Sequence, residues 1–394
     1  MSSIFFSPKN ESLIVFVPKK LKLPCKEIRF ENHYYSPPNK EVEVFLKNRV
    51  RDAKKHNKPL PFEEIKKRTP ENSDKLKILV VRKGGLGDIL FTTPVIQYLS
   101  EMGHIVDVLP HYGYWQAFNH NPFVRNIFVN QPLTIHTHPE LIDREGYGPF
   151  CPVIPEVFNP ADILNYDKVY SFRGVIEDNL ESESLHAVDV SYKWLGIDPE
   201  GKPKKPLLYV TEEEKEIVRE KLYKYRGVDP DRKIVCVSPR ATAINRSWPY
   251  YEEFMDDYSE EFNIIKLHWD EGWEKGKKPW NIRESMAIAA VSDVVISTDS
   301  GMLHVAGALG VPTIALFGPF NPELRVKYYD KCDVICHTKE VCPSGNFCFN
   351  HNDECLALGR SFANSICMRI EPVEVYNKVM EVFAREDTLN YSYV

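Results

Sequence analysis

The sequence predicts an α/β fold built on parallel sheets, and three observations carry that reading. From residue 75 onward, short apolar runs alternate with helix-length stretches, a pattern that buries strands between two layers of helices. Two strand–Gly turn–helix units, at 77–99 and 291–309, lie far apart in the chain, so the alternation occurs as two sets. Between them, 198–206 contains Pro199, Gly201, Pro203 and Pro206 and marks the domain boundary.

The elements follow in order. Residues 28–36 alternate like a strand, and 40–54 place Val42, Val44, Phe45 and Val50 at mixed helical spacing. Residues 55–74 are polar and contain Pro, so 1–74 read as an extension ending in a linker. The first alternating set, 75–200, has strands at 78–81, 105–109, 126–129 and 168–170 and helices at 89–101 and 184–195. The second set, 201–370, has helices at 212–225, 250–260, 283–291 and 302–309. Its strands are at 233–237, 263–267, 293–297 and 313–317. Residues 371–385 form a last helix, followed by a tail to 394. No repeat of solenoid period occurs.

Bulk properties exclude several classes. The chain has 394 residues, 43% hydrophobic and 27% charged, as in a soluble globular protein of two or more domains. No apolar run reaches the roughly 20 residues of a membrane span. The N-terminus lacks the basic start and long apolar core of a signal peptide, so the expected location is the cytoplasm. A net charge of −6 argues against broad nucleic-acid binding. Residues 1–74 hold 16 Lys/Arg against 10 Asp/Glu, which leaves −12 for the remainder. The basic extension is read as a solvated face. Nine cysteines, six of them between 332 and 367, read as structural rather than as a disulfide framework. Cys342, Cys348, His351 and Cys355 have ligand types that zinc accepts, but their spacing fits no standard site, and no metal is expected.

Three turns carry chemistry. Gly84, Gly85 and Gly87 follow the strand at 78–81 and permit close backbone approach; Asp88 follows them. Taken alone, Asp88 is a helix cap. Residues 297–304 follow a buried apolar strand and open a helix of small apolar residues. The N–H groups of Ser300, Gly301 and Met302 can there meet phosphate, and Asp299 and His304 can bond a phosphate or sugar hydroxyl. Residues 239–249 follow the strand at 233–237 and contain Thr242, Arg246 and Trp248; Arg offers a planar fork for phosphate.

In order and spacing these pieces resemble glycosyltransferase family 9, the bacterial heptosyltransferase-like enzymes. The matching segments are GGLGDILFTTP (84–94), RSWP (246–249), KLHWDEGWE (266–274), STDSGMLHVAGALGVPTIALFGPFNP (297–322) and CMRIEPVEV (367–375). The resemblance implies the GT-B architecture: two Rossmann-like parallel-sheet domains facing across a cleft, here with a small N-terminal extension that departs from the family pattern. It implies an inverting, metal-independent transfer of a sugar from a nucleotide diphosphate sugar to a hydroxyl on a glycan or glycolipid. In the family the donor is ADP-heptose and the acceptor a lipopolysaccharide core.

By the same resemblance Asp88 is the general base, the glycine turn lies on the acceptor side, and Arg246, with Thr242 adding a hydroxyl, clamps the diphosphate where the family has a basic residue. Glu274, with Glu271 as competitor, receives the ribose; the segment after it is shorter than in the family. Asp299, Ser300, Gly301, Met302 and His304 complete the donor side. No cofactor is implied. Asp229-Pro230-Asp231 is read as a turn rather than a metal-nucleotide site. Two alternatives stand beside this reading. One is a non-catalytic nucleotide-sugar or glycan binding module. The other is a dinucleotide-dependent oxidoreductase, against which the turn lacks the last glycine of G-x-G-x-x-G.

Overall fold

The structure is a computed structural model, and it describes residues 4–6, 14–16, 27–29, 34–35, 40–56, 60, 62–65, 75–130, 155–176, 179–267, 280–348, 354–355, 360–361 and 365–391. The chain divides into two compact units, one running up to Pro206 and the other from Leu207 onward, with residues 147–150 grouped with the second.

The first unit opens with the extension. Strands β1 (Ile4–Phe6), β2 (Ile14–Phe16), β3 (Glu27–Arg29) and β4 (Tyr34–Tyr35) precede helix α1 (Lys40–Lys55) and β5 (Glu63–Ile65). β4, β1 and β5 form an antiparallel sheet, and β2 pairs with β3. Two expectations change. The single strand expected at 28–36 is two strands with different partners, and the expected linker contains β5. Helix α1 buries Val42, Leu46 and Val50, one residue per turn on a single stripe.

A parallel sheet follows, built from β6 (Lys77–Arg82), β7 (Ile105–Pro110), β8 (Phe128–Val129), β9 (Glu156–Val157) and β10 (Lys168–Ser171). β10 and β7 flank β6 in parallel, and β8 extends past β7 through the parallel bridge of Ile127 to Val108. β9 pairs in parallel with β8, so the spatial order is β9-β8-β7-β6-β10. Its direction reverses between β6 and β10, and such a reversal opens a crevice at the carboxyl ends of the two strands. Leu79, Val81, Leu109, Ile163, Tyr166 and Val169 pack together against one face of this sheet.

The helix expected at 89–101 is two helices, α2 (Leu86–Leu90) and α3 (Thr93–Glu101). Pro94 has no N–H to continue the ladder, so it begins a new helix instead. Helix α4 (Ala187–Trp194) starts where the His186 ring nitrogen accepts the Val188 N–H.

The second unit carries the five-stranded parallel sheet β12-β11-β13-β14-β15. Its elements are α5 (Glu212–Arg226), β11 (Ile234–Ser238), α6 (Tyr251–Tyr258), β12 (Asn263–Lys266), α7 (Ile282–Val291), β13 (Val294–Thr298), α8 (Gly301–Leu309), β14 (Thr313–Phe317), β15 (Cys332–Cys336), α9 (Thr338–Val341) and α10 (Pro372–Tyr391). Strand β15 was not anticipated; its mostly half-exposed CDVIC lacks the apolar run that marks β13 and β14, which are buried throughout. The strand order places this sheet's switch point between β11 and β13.

Helix α5 is stopped at both ends by local chemistry. Thr211 and Glu214 form a reciprocal cap, and Gly227 ends the helix at φ +67°. The same Glu214 carboxylate, fully buried, receives Arg283 of α7 at 2.6 and 2.7 Å, and that guanidinium also reaches the Tyr209 carbonyl at 2.6 Å. A buried charge survives only when paired in this way. Behind the sheet, Trp248, Phe254, Val375 and Val379 belong to one buried cluster, which seats α6 and α10.

Candidate active site

The glycine turn after β6 holds a polar knot. Helix α2 begins at Leu86 rather than at Ile89, so Asp88 lies inside its first turn and not at the cap. Its Oδ2 reaches back to accept the Gly85 N–H at 2.9 Å, and its Oδ1 pairs with Arg82 Nη2 at 3.1 Å. The Asp88 side chain remains 28% exposed while that of Arg82 is 2% exposed. Arg82 Nη1 donates to the Lys83 carbonyl at 2.9 Å and to the Phe172 carbonyl, just beyond β10, at 2.8 Å. The guanidinium therefore bridges the ends of β6 and β10 at the switch point. Gly84 sits at φ +146°, and a Cβ there would stand 2.9 Å from Asp88 Oδ2 and 3.3 Å from Arg82 Cζ. Gly85 is the residue that α2 starts from, and Gly87 is buried in its first turn. At the end of β7, burial and then the charge of Lys83 hold the His111 pKa below its usual value.

The second unit assembles most of the predicted donor residues at the β11/β13 switch point. The loop after β11 is pinned by Trp248, which is 1% exposed. Its N–H donates to the Pro239 carbonyl at 2.8 Å, and its indole N–H reaches the Ile370 carbonyl at 2.8 Å. That anchoring holds Arg246, two residues earlier. Arg246 Nη1 donates to Asp299 Oδ2 at 2.9 Å and to the Asp299 carbonyl at 3.0 Å, joining the loop after β11 to the loop after β13. Its guanidinium also stands 5.4 Å from the Phe320 ring centroid, as does that of Arg325.

Asp299 is buried. Burial alone would raise its pKa, but His304, then the charges of Arg246 and Arg325, outweigh it and hold the carboxyl well below the usual range. His304 Nε2 stands 3.8 Å from Asp299 Oδ1, and its Nδ1 is 3.0 Å from the Tyr329 hydroxyl. Tyr329 is buried and its pKa lies well above the usual phenol value, first because of burial. It therefore stays protonated.

The start of α8 is uncapped by any side chain. Ser300 occupies the cap position but turns its hydroxyl to Ser297, at 3.2 Å. Gly301 and Met302 form the first turn. Arg246 Nε and Thr298 Oγ1 are buried and have no hydrogen-bond partner among the described residues. Donors left so in a native site cost free energy unless something meets them, and an anion bound at the α8 start would meet Arg246. Thr242 lies in the same loop as Arg246 but is exposed. Glu274, its competitor Glu271, and His351 lie outside the described residues.

Sequence reasoning missed Arg82, Phe320, Arg325 and Tyr329. Arg82 stands directly before the glycine turn, a placement that gives no hint of its partners on another strand. Among the described residues, no group of three His, Cys, Asp or Glu side chains is arranged to hold a metal ion. No described helix is long and apolar enough to cross a membrane.

Residues 279–346 match the model of glycosyltransferase family 9 (heptosyltransferase). The chain is 36% identical over 55 residues to lipooligosaccharide heptosyltransferase 2 of Haemophilus influenzae, 14% of this chain and 16% of that protein. It is 26% identical over 116 residues to lipopolysaccharide heptosyltransferase 1 of Pseudomonas aeruginosa, 25% of this chain and 33% of that protein. The matches thus span at most a third of these curated relatives. Solved structures extend the likeness in fold. The glycosyl transferase family 9 structure from Veillonella parvula has TM-score 0.52 at 16% identity, covering 79% of this chain and 97% of that one. The ADP-heptose lps heptosyltransferase II of E. coli has TM-score 0.54 at 15% identity, covering 79% and 100%. The α/β GT-B fold class expected from the sequence is the class of these structures.

Proposed function

We propose that this glycosyltransferase family 9-like, heptosyltransferase-like protein moves a sugar from a nucleotide diphosphate sugar to an acceptor hydroxyl, with inversion and without a metal. The single observation that carries the reading is the pair of aspartates at the two switch points. One is partly exposed beside a glycine turn, and the other is buried and holds Arg246 at the start of a helix.

In the reaction the acceptor oxygen attacks the anomeric carbon and its proton passes to Asp88. The bond from that carbon to the diphosphate oxygen breaks, and the electron pair leaves with the nucleoside diphosphate. Arg246 and the first N–H groups of α8 stabilise that charge, Thr242 adds a hydroxyl, and Glu274 takes the ribose. Attack from the face opposite the leaving group inverts the anomeric centre. The donor named for the E. coli heptosyltransferase II makes ADP-heptose the first candidate, and the lipopolysaccharide named for the relatives makes a glycan or glycolipid the acceptor. Domain limits of 75–200 and 201–370 for the acceptor and donor sides belong to the same proposal.

The test is calorimetry with ADP, UDP and ADP-heptose, followed by NMR of the product of transfer. ADP or UDP binding together with an inverted anomeric configuration supports the reading. A retained configuration would reject single displacement, and binding without any transfer or donor hydrolysis would favour the non-catalytic module.

A further inference from the structure

We infer that Arg82 is a positioning residue for the base, and that Gly84 is the space in which it does this; the inference rests on the reading of Asp88 given above. A carboxylate 28% exposed on a five-residue helix would ordinarily sample several rotamers. Here each of its two oxygens is tied: Oδ2 to the Gly85 N–H and Oδ1 to Arg82 Nη2. The tie through Arg82 is the more rigid, because that side chain is itself fixed. Its Nη1 is committed to the Lys83 and Phe172 carbonyls, and the whole side chain is 2% exposed.

The carbonyl of Phe172 matters most. It directly follows β10, the strand on the far side of the switch point, and is fixed by backbone pairing, including the Phe172 N–H to the Val81 carbonyl at 2.8 Å. The base is therefore referenced to the sheet and not to its own turn. Arg82 does not reach solvent, so a bound acceptor meets Asp88 and not the guanidinium. Holding a reacting group to within a fraction of an ångström is a recognised contribution to rate. A planar fork does this where a flexible ammonium does not.

Gly84 supplies the second, independent observation. Its φ of +146° suits glycine, and a Cβ would fall 2.9 Å from the base oxygen and 3.3 Å from the guanidinium carbon. The turn is thus shaped around the ion pair.

The experiment is a double-mutant cycle on the full chain, reading kcat, donor KM and ADP affinity, with melting temperature as the control for folding. Arg82→Lys should lower kcat about 10- to 100-fold with donor KM and ADP affinity unchanged; in an Asp88→Asn background it should lower kcat no further. Gly84→Ala, which removes no functional group, should also lower kcat with ADP affinity retained. Equal losses from Arg82→Lys in both backgrounds, or near-normal kcat in a folded Arg82→Lys protein, would overturn the inference. Should Arg82→Lys fail to fold, Gly84→Ala decides: a folded variant with normal kcat overturns it. The underlying reading fails separately, by normal turnover in Asp88→Asn alone.

Discussion

The two switch points use the same parts in opposite ways. Each has an aspartate beside a glycine-containing turn at the carboxyl edge of a parallel sheet, and each aspartate meets an arginine. In the first unit the arginine is buried and the carboxylate is partly open. In the second the carboxylate is buried and the arginine, 14% exposed, has a nitrogen left without a partner. The open member of each pair is the one that can meet a substrate. On the proposed reading that is a base in one unit and an anion clamp in the other. A motif residue's chemistry therefore depends on which end of the ion pair the fold turns outward.

The largest expected effect tests the buried carboxylate. Asp299→Ala should destabilise the protein by about 3–5 kcal/mol, because it strands a mostly buried guanidinium. Thermal or urea unfolding measures this, and a loss below about 1 kcal/mol would end its role as counter-charge. The same carboxyl makes stability depend on pH. Its folded pKa lies below the unfolded value of about 4, so its contribution is fully present above that value. It is lost as pH falls from there through the lower folded pKa. Asp299→Asn should flatten that acid limb.

Next comes the open carboxylate. Asp88→Asn preserves size and can still accept the Gly85 N–H, yet it should cut transfer by ~10²-fold or more with ADP affinity intact; melting temperature should fall, because the buried Arg82 loses its counter-charge, and turnover is compared on folded protein. Turnover within a few-fold of normal would return Asp88 to a purely structural part in α2. Arg246→Ala should weaken ADP binding by ~1.5–3 kcal/mol, the range for hydrogen bonds to charged groups. Unchanged calorimetric affinity would remove it from the donor site. The smallest effect expected is none: on the proposed reading Arg246 and α8 serve in place of a cation, so EDTA should leave transfer unaltered. Activity abolished by EDTA and restored by magnesium would require Asp229 and Asp231 to be read again.

Much of this was legible in the sequence because the relevant physics is local. Apolar runs such as 294–296 and 314–317 announce buried parallel strands. Glycines before Asp88 and around Asp299 announce turns where helices open, and RSWP announces an anchored loop. What was not legible depends on contacts between residues distant in sequence. Arg82 is one of many arginines until Phe172, 90 positions later, accepts its hydrogen bond. Arg283 could not be matched to Glu214, nor Tyr329 to His304, without the sheet order that places them together. β15 escaped because a mostly half-exposed strand lacks an apolar run, and β5 because its three residues, EEI, carry no apolar pattern. The boundary error at α2 came from crediting Asp88 with the cap that Gly85 provides.

Gly307, one turn beyond His304 on α8, offers a last lesson. A Cβ there would lie 2.5 Å from the Tyr329 ring, so the phenol can rest directly on the helix backbone. From that seat its hydroxyl meets His304 Nδ1 at 3.0 Å, while Nε2 faces Asp299 Oδ1 at 3.8 Å. An atom that Gly307 lacks thus sets which group an imidazole one helical turn away can meet. A methyl group added at that position would alter no polar atom, yet it would push away the phenol that meets His304.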